Sequence, residues 1–156
     1  MGEIEQRMDY FKVDPKAMRG LLEIEKYVAQ STLDKTIFEL VKYRASQING
    51  CAYCMDMHTK DALAEGETDQ RLFVLSGWRD APFYTDKERV ALEWTEALTE
   101  ISKNHITDDL YERVCQHFDE KELLALTMTI IGINGWNRLA IPFRSHVGDY
   151  QPGQHK

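Results

Sequence analysis

Two cysteines and a histidine form the part of this chain that is best suited to chemistry. Cys51 and Cys54 are three residues apart, and His58 follows Cys54 by four residues. If the segment is helical, the three side chains share one face of the helix. Such a set supports either thiol–disulfide chemistry or a metal site, and the two demand different surroundings.

The redox interpretation depends on where the thiols lie in their helix. Gly50 is predicted to end one helix, so that Cys51 lies at or near the start of the next. Unpaired amides and the positive end of the helix dipole stabilise a thiolate there, which is the species that attacks a peroxide or a disulfide. Cys51 and Cys54 are close enough for one thiol to resolve a sulfenic acid on the other, and His58 can carry the proton.

A zinc site is the main alternative on spacing alone, and incidental buried cysteines are the third. Cys51, Cys54 and His58 would supply three zinc ligands, and a structural site needs a fourth. The chain has no second Cys-x-x-Cys pair and no His-x-x-x-His pair. The remaining candidates for a fourth ligand have no diagnostic spacing: Cys115, His105, His117 and His146. Cys115 follows Val114 on an apolar helix face and is predicted to be a small core residue.

Composition excludes several classes of function. The 156 residues carry a formal net charge of −7 without a basic cluster, so a nucleic-acid partner is not expected. No glycine-rich phosphate loop is present, and no cofactor is predicted. The first residues lack the features of a secretory signal, and the apolar segment 123–141 is interrupted by Asn134, Asn137 and Arg138. We therefore expect a cytoplasmic protein that does not span a membrane, in which a close cysteine pair is more often catalytic or metal-binding than structural.

The elements that must position the cysteines are predicted to be helical throughout. Caps and apolar residues at a 3.6-residue period indicate helices over about residues 15–29, 34–50, 51–66, 69–77, 85–101, 107–118 and 120–141. Pro142 is expected to mark the end of the last helix. No stretch alternates as a strand does, which weakens a thioredoxin-type interpretation because that motif follows a strand. Short connections favour one all-α bundle that forms a single domain over residues 1–156.

The spacing of four residues resembles the pattern of a known family. Glu39, Cys51, Cys54 and His58 are similar to the pattern Glu-x11-Cys-x2-Cys-x3-His of the AhpD-like alkylhydroperoxidases, within the carboxymuconolactone decarboxylase superfamily. The segments 118–123 and 133–138 resemble the last helix of that family. The resemblance covers a family core of about residues 33–141.

The resemblance implies an all-α, oligomeric protein that reduces hydroperoxides, as a trimer or a hexamer. It implies that Cys54 is the peroxidatic thiol and that Cys51 is the more exposed partner, which resolves Cys54 and meets the reductant. His58 and Glu39 would form the proton relay. The reductant in the family is a dithiol, typically carried by a lipoyl-bearing protein.

Two residues need separate interpretation. Glu39 lies nearly opposite the apolar stripe of its predicted helix, which by itself indicates a solvated glutamate, whereas the resemblance implies a partly buried one beside His58. Tyr53 stands where the better-characterised peroxidases carry a histidine, and a phenol that titrates near 10 is a poor proton relay at neutral pH. Two further hypotheses remain: a lactone decarboxylase on the same fold, and a non-enzymatic oligomer whose cysteines bind zinc or sense oxidation.

Overall fold

The computed structural model describes residues 4–154, and within them the chain is all-α, as predicted. Residues 4–154 form eight α-helices: α1 (Tyr10–Val13), α2 (Arg19–Ala29), α3 (Lys35–Asn49), α4 (Ala52–Ala64), α5 (Asp69–Phe73), α6 (Asp86–Thr99), α7 (Asp108–His117) and α8 (Glu120–Phe143). Two short 3-10 turns, Pro15–Met18 and Leu75–Gly77, precede α2 and follow α5.

Side-chain caps start most of these helices. Asp34, Thr68, Thr85, Thr107 and Asp119 each accept a hydrogen bond from a backbone N–H in the first turn. The caps at Thr85 and Asp119 are reciprocal capping boxes, because a glutamate three residues later bonds back to the cap. These local bonds satisfy amides that have no partner inside the helix, which is why the starts agree with the sequence.

Several helix boundaries differ from expectation. The helix predicted over residues 69–77 is α-helical only over Asp69–Phe73, and a 3-10 turn, Leu75–Gly77, follows it. The helix predicted from Pro15 begins instead as a 3-10 turn, and only Arg19–Ala29 is α-helical. Pro142 lies inside the last turn of α8, and the helix ends one residue later at Phe143. A proline removes one N–H, and this close to the end of a helix a single missing bond does not stop the turn. The residue that ends α8 is Arg144, which has left-handed backbone geometry (φ 52°).

The helix α3 lies at the centre of the fold, where it packs against α4, α6 and α8. Its residues Ile37 and Val41 belong to the largest apolar cluster, together with side chains of α6, α7 and α8. On the far side of α8, helix α2 approaches closely, since a Cβ on Gly135 would lie 2.6 Å from Cδ2 of Leu21. The start of α4 is thus held by helices that are themselves packed on several sides.

The prediction for Cys115 was wrong. Cys115 is exposed, whereas its neighbour Val114 is fully buried. One residue turns the side chain by about 100° around a helix, so a position beside a core residue faces away from the core.

No helix among residues 4–154 combines the length and the hydropathy that crossing a membrane requires.

Candidate thiol site

The site begins at the sharp turn between α3 and α4. Gly50 ends α3 in the left-handed region (φ 71°), which favours glycine because it has no Cβ. Cys51 then caps α4: its own N–H donates to the carbonyl of Ser46 at 2.9 Å, and its Sγ accepts from the Cys54 N–H at 3.3 Å. The first cysteine therefore lies at the amide-rich start of the helix, as the sequence predicts.

Cys51 and Cys54 are joined by a disulfide bond. Both residues are 1% exposed and pack in one apolar cluster with Ala45, Ile133 and Ala140. The expectation that Cys51 is the more exposed cysteine is wrong for this chain, because α8 covers the turn that carries it. The disulfide is therefore shielded from bulk solvent.

A pocket of about 860 Å³ leads to one of the two cysteines. The N-terminal segment, the start of α4 and the end of α8 with the residues after it form its walls. Cys51 and Tyr53 are among the lining residues, whereas Cys54 is not. The two sulfurs thus differ in their surroundings even though they are equally buried.

His58 lies one turn after Cys54, on the buried face of α4, and is 4% exposed. Its Nδ1 is 3.1 Å from Oε2 of Glu39 on α3, so the structure places these two predicted residues in direct contact. Because a carboxylate only accepts hydrogen bonds, this contact assigns the proton to Nδ1 and leaves Nε2 as the basic nitrogen. The wheel of α3 predicted a solvated Glu39, but its side chain is only 13% exposed because α4 packs over that face.

Asp61 is a further charged residue of the site that the sequence analysis missed. Ligand atoms of Glu39, His58 and Asp61 all lie within 4.8 Å of one another, and two carboxylates with an imidazole are a donor set that suits Zn²⁺. Asp61 follows His58 by three residues on α4, a spacing that would have identified it. Within the described residues no cysteine joins such a cluster, so the alternative of a zinc site around Cys51 and Cys54 has no assembled ligand set in this structure.

Tyr150 completes this side of the site from the C-terminal segment. Its single O–H is shared between the two carboxylate oxygens of Asp61, at 2.8 and 2.9 Å, and the residue is 6% exposed. Burial, followed by the bond to Asp61, raises the pKa of Tyr150 well above its usual value, so the phenol stays a donor. No periodicity in the sequence points to this contact.

Tyr53, between the cysteines, is half-buried against the disulfide cluster. Burial raises the pKa of Tyr53 above 10, and the nearby negative charges of Asp56 and Asp61 act in the same direction. The hydroxyl therefore keeps its proton at neutral pH, so Tyr53 does not replace a histidine as a proton carrier there.

A buried amide network fixes the turn that carries Cys51. Asn137 on α8 is fully buried, donates to Oγ of Ser46 at 3.2 Å and accepts from Nδ2 of Asn49 at 2.9 Å. The same Nδ2 also donates to Asn134 at 3.0 Å. These bonds tie the last turn of α3 to α8, which gives the asparagines of segment 133–138 a structural role beneath the site.

Sequence comparisons show which known proteins this chain resembles. A model of the family described as "Carboxymuconolactone decarboxylase family" matches residues 15–97, more than half of the chain. The protein YdfG of Bacillus subtilis, described as uncharacterized, is 44% identical over 136 residues, which are 87% of this chain and 92% of YdfG.

Solved structures share the fold. A protein of unknown function from Agrobacterium tumefaciens, proposed to be the antioxidant defence protein AhpD, superposes with a TM-score of 0.89 at 39% identity. The match covers 94% of this chain and 100% of that one. The debrominase Bmp8, in complex with 2,3,4-tribromopyrrole, has a TM-score of 0.78 at 16% identity over 89% of this chain and 74% of its own. At that identity the likeness shows the fold alone.

Proposed function

This chain belongs to the carboxymuconolactone decarboxylase family and is AhpD-like within it, and on that basis we propose that it is a thiol-dependent peroxidase. It reduces hydroperoxides through a Cys51–Cys54 disulfide cycle, in which His58 and Glu39 manage the proton. The observation that carries the proposal is the disulfide at the start of α4, one helical turn before a histidine held by a glutamate.

In the proposed cycle Cys54 is the peroxidatic cysteine. Nε2 of His58 accepts the thiol proton of Cys54, and Glu39 stabilises the imidazolium through Nδ1–H. The thiolate attacks the terminal oxygen of the hydroperoxide and breaks the O–O bond. The sulfur becomes a sulfenic acid, and the departing alkoxide takes the proton from His58 to leave as an alcohol.

Cys51 is the resolving cysteine. Its thiol condenses with the sulfenic acid of Cys54, which forms the disulfide and releases water. A dithiol reductant then attacks the disulfide, and two thiol–disulfide exchanges return both cysteines to thiols and leave the reductant as a disulfide. The pocket in front of Cys51 supports attack on this sulfur, and a lipoyl-bearing protein fits the chemistry as the dithiol.

Assembly into a trimer or a hexamer is part of the proposal. Large apolar side chains on α2 and α8 are about half exposed in the isolated chain: Leu22, Tyr27, Leu124 and Ile131. Exposed apolar side chains of this kind are typical of subunit interfaces. The family resemblance implies that the partner is a second copy of this chain.

Decarboxylation of a lactone acid remains the second candidate function, and the description of the family is the observation that favours it. That reaction has no use for a disulfide. Turnover of a lactone acid that survives alkylation of both thiols would replace the peroxidase proposal.

Replacement of Cys54 with serine tests the proposed function. Cys54→Ser is expected to abolish dithiol-dependent consumption of hydroperoxide, because it removes the proposed peroxidatic thiol. Cys115→Ser is the matched control and should keep full turnover, since Cys115 is exposed and outside the site. Thiol titration of the reduced protein should show that one equivalent of peroxide removes two thiols, which a dithiol restores. Turnover that persists in Cys54→Ser would contradict the assignment.

A further inference from the structure

The C-terminal segment 144–150 lies across α4 and is fastened to it by two adjacent residues. Nζ of Lys60 donates to the carbonyls of Gly148 at 3.0 Å and Tyr150 at 3.1 Å, and it is itself held by Asp56 at 2.9 Å. The next residue, Asp61, accepts the O–H of Tyr150, which is shared between its two carboxylate oxygens. Residues 146–149 are exposed, so the buried part of this segment is concentrated at Tyr150.

This fastening matters because Asp61 is a second carboxylate close to His58. Its carboxylate lies in the same 4.8 Å cluster as Glu39 and His58, and the ring has one N–H for the two acidic groups. In the observed arrangement Nδ1 contacts Glu39, while both oxygens of Asp61 are engaged by Tyr150. The single O–H of Tyr150 is shared between these two oxygens and partly neutralises the charge of Asp61, so this carboxylate attracts a second donor less strongly.

We propose that Tyr150 and Asp61 are positioning residues for His58, so that the C-terminal segment is a working part of the thiol site. The hydrogen bond from Tyr150 to Asp61 leaves Glu39 as the acceptor of the Nδ1 proton of His58. Nε2 is then available to act as a base. The role rests on the proposed function of His58 as the base for Cys54. The segment thus controls which carboxylate orients the imidazole.

The test is a double-mutant cycle in which the rate of thiol alkylation is measured, and not the consumption of peroxide. Reduced protein is treated with iodoacetamide at neutral pH, and the label on each cysteine is followed by peptide mass spectrometry. Tyr150→Phe removes only the hydroxyl and is expected to slow labelling of Cys54 about tenfold, a part of what a general base contributes. Labelling of Cys115 in the same sample is the internal control for the reactivity of iodoacetamide, and it should proceed at the wild-type rate.

Asp61→Asn separates positioning from mere support of the fold. In the Asp61→Asn background there is no second carboxylate to compete for His58, so Tyr150→Phe should then change the labelling rate less than about twofold. Tyr84→Phe is the matched control, because Tyr84 is also buried and donates to a backbone carbonyl away from the cysteines; it should label as wild type.

Two results would overturn the proposal: labelling of Cys54 that stays within about twofold in Tyr150→Phe, or an equal slowing in both backgrounds. The proposed function fails separately, if the wild-type protein shows the full labelling pattern but consumes no hydroperoxide with any dithiol.

Discussion

Nδ1 of His58 lies 3.1 Å from Oε2 of Glu39, and the two residues belong to different helices, α4 and α3. The contact spans the turn at Gly50, so the same turn that presents the cysteines also sets the distance between the base and its carboxylate. Both side chains are largely removed from solvent, at 5% and 13% exposure, where a charge-assisted bond is stronger than at the surface.

Replacement of Glu39 with glutamine should therefore lower peroxide turnover. The amide keeps the shape of the side chain but loses the charge that stabilises an imidazolium, and we expect kcat to fall about tenfold or more. Steady-state kinetics with a fixed dithiol measures the change. Glu93→Gln is the control, because Glu93 is ion-paired with Arg113 on another face of the molecule and should leave kcat unchanged. Equal losses in both variants would remove Glu39 from the proton path.

Tyr53→His is expected to increase turnover severalfold near pH 7. An imidazole titrates near 6.5, whereas the pKa of Tyr53 is raised above 10, so only the histidine exchanges protons at neutral pH. Measurement of kcat/KM for hydroperoxide from pH 6 to 8 checks the expectation. Tyr53→Phe should behave as the wild type, and a large loss in that variant would show that the hydroxyl itself takes part in the reaction.

Asn137→Ala should destabilise the protein by about 1–3 kcal/mol, because Ser46 and Asn49 would lose a buried partner. Urea denaturation measures the free energy of unfolding. Asn104→Ala, an exposed asparagine on a surface turn, is the control and is expected to change stability by less than about 0.5 kcal/mol. A small effect at Asn137 would mean that the turn at Cys51 is held by packing and not by the amides.

The raised pKa of Tyr150 predicts a dependence of stability on alkaline pH. The folded state keeps this phenol protonated above pH 10, where the unfolded chain releases the proton, so this stabilisation is complete below about pH 10 and is lost as pH rises through the folded pKa. Unfolding by urea between pH 8 and 11 should show wild type falling more steeply than Tyr150→Phe. Parallel curves for the two proteins would contradict the burial of the phenol in solution.

Local signals in the sequence were enough for the elements and for one side of the site. Caps such as Asp34 and Thr85, together with Gly50 as a helix end, act on their own neighbours, and the structure confirms them. The order Cys51, Cys54, His58 on one helix follows from spacing alone. These features depend on interactions within a few residues, which a sequence displays directly.

Local signals do not predict contacts between elements that are far apart in the sequence. Glu39 and His58 are 19 residues apart, and only the resemblance to a family brought them together, since the helical wheel of α3 indicated a solvated glutamate. Tyr150 and Asp61 are 89 residues apart and have no periodic signal. The equal burial of Cys51 and Cys54 depends on how α8 packs over the turn, which no local pattern encodes.

The hydrogen bond from the Cys54 amide to Sγ of Cys51 makes that amide a natural reporter of the oxidation state. In the disulfide the accepting sulfur is bonded to a second sulfur, and reduction replaces that bond with a thiol, which changes the acceptor of this hydrogen bond. The proton resonance of this single amide is then expected to shift when the pair is reduced. Nuclear magnetic resonance of unmodified, isotopically enriched protein could follow the cycle in real time, with no dye, substrate or reductant that absorbs light.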